Sequence, residues 1–111
     1  MLMENMVKVI EQAEIPTQEL ASILKQGAIL RLPYLEGRLL QAREQLKRFE
    51  EQYGTTLEAL RSQGLPENAD YALHEDFNEW EYYQDLLHET ERAVDRIKAL
   101  LDKLEGAGDL H

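Results

Sequence analysis

The chain of 111 residues contains no cysteine. Disulfide bonds, thiolate zinc sites and cysteine nucleophiles are therefore excluded. Proline and glycine are scarce, at three and six residues, while hydrophobic residues make up 43% and charged residues 31% of the chain. This composition and length favour one folded, helix-rich domain with a thin core.

Long apolar runs are also missing. No stretch approaches the roughly 18 consecutive apolar residues that a membrane-spanning helix needs. The first residues lack the basic and apolar regions of a secretory signal. We therefore expect a cytoplasmic protein that neither spans nor binds a membrane.

Basic residues are absent from the middle of the chain. Between Ser62 and Glu91 there is no lysine or arginine, but there are nine acidic residues and five aromatic ones. Residues 50–91 hold twelve acids against one base, Arg61, whereas the rest holds ten acids and eleven bases. The net charge of −10 therefore arises in the middle of the sequence.

This charge argues against nucleic acid as a partner, because such surfaces need clustered lysine and arginine. The N-terminal third loosely follows the order of a ribbon-helix-helix protein, with a short strand and two helices. It offers only Lys8, Lys25 and Arg31 for binding DNA. We therefore do not expect nucleic acid to bind.

Residues 1–32 form an N-terminal segment in this interpretation. The run from Met6 to Ile10 is compatible with a short strand or a helix. Thr17 follows Pro16 and is the predicted N-cap, and Gly27 is a typical C-terminal stop, so we predict a short helix at about 17–26. The next helix is expected to begin at Pro33, where a missing N–H costs nothing.

A helical hairpin is predicted for residues 33–105, followed by a tail at 106–111. Its first helix, at about 33–53, ends at Gly54 and carries an apolar heptad pattern. Thr55 and Glu58 have the spacing of a capping box, which predicts a short helix at about 56–63. A long helix at about 70–105 follows, with a second apolar seam.

These patterns together predict an all-α fold, namely a long antiparallel helical hairpin with a short linking helix. A hairpin of two helices leaves apolar surface uncovered. We therefore expect a homodimer that forms a four-helix bundle or coiled coil. The residues expected in the core or dimer seam are Leu39, Leu46, Phe49, Phe77, Trp80, Tyr83, Leu87, Val94, Ile97 and Leu101.

Two histidines lie among acids on the last helix. Glu81, Asp85 and His88 share one helix face, as metal ligands can, but the heptad register puts them on the outer side, where no shell would enclose a metal. His74, with Glu75, Asp76 and Glu79 nearby, is a second candidate, but the helix dipole also favours acids near the start of this helix. No cofactor or metal ligand is therefore assigned, although a metal-binding helical bundle remains an alternative.

The outer face of the last helix is the candidate partner-binding surface. Tyr82 does not fit the apolar seam and is surrounded by carboxylates, so it is a candidate anchor for arginine or lysine of a basic protein. The predicted partner-binding residues are Glu75, Glu79, Glu81, Tyr82 and Asp85. An ordinary solubilising face is the competing interpretation.

No nucleophile beside a base and no glycine-rich phosphate loop is present. We therefore predict a non-enzymatic protein. The main hypothesis is a protein-binding module, and the alternatives are a structural or scaffolding homodimeric hairpin and the metal-binding bundle.

Two motifs carry a resemblance. Tyr53-Gly54-Thr55-Thr56-Leu57-Glu58 is followed by Asp76-Phe77-Asn78-Glu79-Trp80. This arrangement resembles small helical prokaryotic proteins regarded as antitoxin-like, over the region from Leu35 to Leu104. The resemblance implies a protein whose acidic helix neutralises a basic, nuclease-like toxin, and it implies no catalytic residues.

Overall fold

The computed structural model describes residues 2–108, and within them the chain forms four helices and no strand. The helices are α1 (Leu2–Ala13), α2 (Thr17–Tyr53), α3 (Leu57–Gln63) and α4 (Tyr71–Gly108). The predicted all-α helical hairpin is confirmed. The N-terminal run from Met6 to Ile10 is helical, so the alternative of a short strand is wrong.

The hairpin consists of α2 and α4, which pack along each other. Phe49 of α2 stacks on Trp80 of α4. Tyr53, four residues after Phe49, contacts Asp76, which is four residues before Trp80. Residues later in α2 therefore contact residues earlier in α4, so the two helices are antiparallel. With 37 and 38 residues, each helix is about 55 Å long.

Local signals set most of the helix ends. Gly54 terminates α2 with φ 65°, in the left-handed region, and its N–H bonds to the carbonyl of Glu50. The N-cap of α3 is Thr56, whose hydroxyl accepts from the N–H of Ala59 at 3.1 Å. That cap lies one residue after the predicted Thr55. Asp70 precedes α4 and accepts from the N–H of Leu73 at 2.9 Å.

The predicted break between residues 27 and 33 is wrong. A single α2 continues through Gly27 and Pro33 to Tyr53, and Thr17 is its first residue instead of its cap. Proline inside a helix removes one backbone hydrogen bond, usually at a cost of about 3 kcal/mol. Ala28 and Leu35, on either side of Pro33, are both buried. This packing on both sides of the proline favours the uninterrupted helix.

The core is densest at the closed end of the hairpin, where α3 also packs on α4. Leu46, Phe49, Leu57 and Trp80 form the buried cluster. The molecule as a whole is long and thin, at 64 × 31 × 20 Å. Its radius of gyration is 20.7 Å, against about 13 Å for a compact domain of this length.

The predicted tail begins inside a helix, since α4 extends to Gly108. Residues 109–111 lie outside the described part of the chain. None of the helices within residues 2–108 combines the length and the apolar character needed to cross a membrane.

Candidate functional site

The acidic region lies at the closed end of the hairpin. It includes the end of α2, all of α3 and the first half of α4. Trp80 anchors this end, with only 1% of its surface exposed. Its ring stacks against the rings of Phe49 and Tyr53, at centroid distances of 5.5 and 5.9 Å. Such aromatic contacts stabilise beyond the area they bury, so the acidic surface rests on a rigid base.

Tyr53 ties the end of α2 to the start of α4. Its hydroxyl donates a hydrogen bond to the carboxylate of Asp76, and the amide of Gln52 reaches the same oxygen at 3.4 Å. That hydrogen bond, with help from burial and the charges of Asp76 and Asp70, raises the pKa of Tyr53 to about 12. Asp76 is therefore engaged within the chain.

Arg61 ties α3 to α4 in a similar way. Its guanidinium lies 3.0 Å from the carboxylate of Glu81, and both side chains remain partly exposed. Arg61 is the only base between residues 50 and 91. The one positive charge of this region is therefore already in an ion pair with Glu81. Glu81, predicted to face a partner, is only half-buried and is engaged by this internal ion pair.

Four predicted partner-binding residues remain on the open surface. Tyr82 is 57% exposed and packs its ring edge-on against Tyr83, at 5.2 Å between centroids. Glu75, Glu79 and Asp85 are exposed on the same helix. Tyr82 is three and seven residues from Glu79 and Glu75, and three from Asp85, so the four side chains share one side of α4.

The histidines are not assembled into a metal site. His88 lies 2.9 Å from the side-chain nitrogen of Gln84, and His74 is exposed. Within residues 2–108, no group of three or more His, Asp or Glu side chains is placed to hold a metal ion. The arrangement can therefore present charge and an aromatic ring, and it supplies no preformed ligand set.

The residues predicted for the core or dimer seam lie between α2 and α4 of one chain. Phe49, Trp80, Val94 and Leu46 are buried there. The others are half-buried, namely Leu39, Phe77, Tyr83, Leu87, Ile97 and Leu101. Two polar atoms in this interior, the Trp80 indole nitrogen and the Gln45 side-chain oxygen, are buried and have no hydrogen-bond partner among the described residues.

Two features of the acidic region were missed in the sequence. The Tyr53–Asp76 and Arg61–Glu81 contacts join residues 23 and 20 positions apart, and no local spacing reveals such pairs. The sequence did contain one signal: Arg61 is the only base among many acids. A lone base in an acidic segment is a candidate for an internal ion pair.

Comparison of the chain with protein-family models, with curated proteins and with solved structures finds no match. The geometry of the residues themselves therefore carries the functional argument.

Proposed function

We propose that this chain is a non-enzymatic protein-binding module that binds a basic protein through the acidic face of α4. The observation that carries the proposal is the exposed set of Tyr82, Glu75, Glu79 and Asp85 in a region whose only base, Arg61, is already paired with Glu81. An exposed aromatic ring among uncompensated carboxylates suits arginine or lysine, which can pair with the acids and stack on the ring.

The dipole of α4 does not account for this charge. A helix dipole favours acids only within the first turn of the helix. Glu79 and Asp85 lie two to four turns into α4, which begins at Tyr71. Like charges at i and i+4, such as Glu75 and Glu79, also disfavour the isolated helix slightly. A basic partner would relieve that repulsion on binding.

The specific function we propose is that of an antitoxin, in which the acidic face covers the basic, nucleic-acid-binding surface of a toxin. The resemblance of the Tyr53–Glu58 and Asp76–Trp80 motifs to antitoxin-like proteins supports this assignment. The rigid aromatic base under the face supports it too, because a preformed surface loses less entropy on binding.

The test uses the product of the gene adjacent to the one that encodes this chain. We expect a small basic protein, co-purification of the two, and an association rate that falls steeply as NaCl is raised. Tyr82→Ala is expected to weaken binding at least tenfold with unchanged helix content. The matched control is Leu40→Ala on α2, because Leu40 is also 57% exposed but lies outside the acidic region.

The outcomes separate the proposals. A complex that tolerates both salt and Tyr82→Ala would exclude the acidic face as the binding surface. An adjacent gene product with no basic surface and no affinity would rule out the antitoxin assignment. Loss of helix content in Tyr82→Ala would show that Tyr82 is a structural residue.

A structural or scaffolding homodimer is the second candidate function. The observation that favours it lies at the other end of the molecule, where α1 and the first half of α2 expose many large apolar side chains.

A further inference from the structure

The helix α1 has an apolar face that no other part of residues 2–108 covers. Met6, Val9 and Ile10 have the spacing of one helix face, and all three are exposed, Val9 by 64%. Within the described residues α1 makes at most slight contact with the other helices. An isolated helix of 12 residues is marginally stable in water. It therefore gains from a surface that covers this face.

A second apolar stripe, uncovered except at the half-buried Leu20, runs along the first half of α2. Steps of three and four residues connect its members, and Leu30 is 78% exposed. At 3.6 residues per turn, the stripe lies roughly 120° around the helix from the side that packs on α4. Its members are Leu20, Ile23, Gly27, Leu30 and Tyr34.

The stripe has the alternating pattern of a coiled-coil seam, although α4 does not use it. A side chain built on Gly27 would meet no atom of residues 2–108 within 4 Å. At the other end of the stripe, Arg31 and Arg38 lie over the ring of Tyr34, at 5.4 and 5.7 Å from its centroid. These arginines form a polar border beside the apolar stripe.

The charge distribution favours a second copy of this chain as the occupant. Outside residues 50–91 the chain has ten acids and eleven bases, so the end that carries both apolar surfaces is nearly neutral. The opposite end carries twelve acids against one base. Two copies can therefore meet through their neutral ends while their acidic ends stay apart.

The dimensions also fit. The stripe from Leu20 to Tyr34 is about 21 Å long, and α1 is about 18 Å long. Six exposed apolar side chains on the two surfaces offer roughly 50 Å² each, or about 300 Å² per copy. If about 60% of the interface is apolar, each copy buries about 500 Å² and the dimer about 1,000 Å² in total, which is about the minimum for a specific interface. The six are Met6, Val9, Ile10, Ile23, Leu30 and Tyr34.

We propose that α1 and the Leu20–Tyr34 stripe of α2 together form a self-association surface that binds the same surface of a second copy. This places the dimer contact at the open end of the hairpin. The Phe49–Trp80 seam is already buried inside one chain, so it does not supply the contact. The acidic face at the other end stays available in both copies.

The test is sedimentation velocity of the full chain from about 1 to 100 µM, a range that brackets the dissociation constants expected of small interfaces. We expect a dimer, and we expect Val9→Glu and Leu30→Glu each to raise its dissociation constant at least tenfold. Leu40→Glu is the control, since Leu40 is exposed on α2 but lies off the stripe. It should change the constant less than twofold.

All three substitutions are at exposed positions, and unchanged circular dichroism would confirm that each variant folds. A wild-type chain that stays monomeric at the highest concentration would overturn the proposal. That result would also be obtained if α1 folded back and covered the stripe of its own chain. If a variant dimerises as tightly as wild type, the helix that carries its substitution is not part of the interface. Equal weakening by Leu40→Glu would show that the effect is not specific to this surface.

Discussion

Single residues hold the closed end of the hairpin together. Trp80 stacks on both Phe49 and Tyr53, and the hydroxyl of Tyr53 in turn donates a hydrogen bond to Asp76. These contacts connect the last turn of α2 with the first half of α4. The acidic face is therefore mounted on a fixed aromatic cluster, in the way that a preorganised binding surface requires.

Tyr53 gives this cluster a predictable response to pH. Its pKa is raised to about 12 in the folded chain, first by the hydrogen bond to Asp76. An unfolded tyrosine ionises near pH 10. The stabilisation is therefore fully present below about pH 10, and it is lost between about pH 10 and 12, because only the unfolded state releases its proton there.

We expect Tyr53→Phe to lower the free energy of unfolding at pH 8 by about 1–2 kcal/mol, allowing for solvent screening. The difference between wild type and variant should shrink as pH rises from about 10 to 12. Urea unfolding followed by circular dichroism measures both effects, with Tyr82→Phe at an exposed position as control. A difference that stays constant over this pH range would contradict the role given to the Tyr53–Asp76 bond.

At the scale of the helix, α2 shows how packing overrides local signals. Gly27 and Pro33 are typical of helix ends, yet α2 runs through both. Gly54 has the same chemistry as Gly27 and does end the helix, with φ 65°. The difference lies in what surrounds them. Near Gly27 and Pro33, the neighbouring residues Ala28 and Leu35 are buried. After Tyr53, by contrast, the chain must turn to reach α3.

This contrast predicts opposite effects for one substitution at two glycines. Gly37→Ala should stabilise the fold by about 1 kcal/mol, because Gly37 lies inside α2 and the new methyl group would meet no described atom within 4 Å. Gly54→Ala should destabilise it by about 1 kcal/mol, because its φ of 65° disfavours any side chain. Thermal and urea unfolding measure both. Two changes of the same sign would refute the conformational assignment.

At the scale of the whole molecule, the chain is a rod with unlike ends. The closed end is acidic and rests on the aromatic core, while the open end is nearly neutral and exposes apolar side chains on α1 and α2. The two proposals use different ends. A dimer joined at the open ends would present two acidic faces, and two linked sites raise the apparent affinity for a partner that can reach both.

The charge imbalance predicts how salt affects stability. Raising NaCl from about 10 mM to 1 M shortens the screening length from about 30 to 3 Å. We expect the free energy of unfolding to rise by about 1 kcal/mol as repulsion within residues 50–91 is screened. Glu75→Gln/Glu79→Gln should stabilise the chain by about 0.5 kcal/mol at low salt and reduce the salt effect. Urea unfolding at both concentrations measures this.

The control for this prediction is Glu36→Gln/Glu44→Gln, which removes two acids from the part of α2 outside the acidic region. It should leave the salt effect unchanged. A chain that loses stability with added salt would instead show that attractive pairs, such as Arg61–Glu81, dominate the electrostatic free energy.

The amino-acid sequence by itself determined the helical hairpin, because apolar spacing, Gly54 and the caps at Thr56 and Asp70 are local signals that act within a few residues. Tertiary structure decided the rest. Continuity of α2 through Pro33 depends on burial against α4, and the Arg61–Glu81 pair depends on where α3 lies. The spacing of the Leu20–Tyr34 stripe is visible in the sequence, but only the packed hairpin shows that α4 covers a different face of α2. Contacts between distant residues have no local spacing, so they are fixed only when the helices pack.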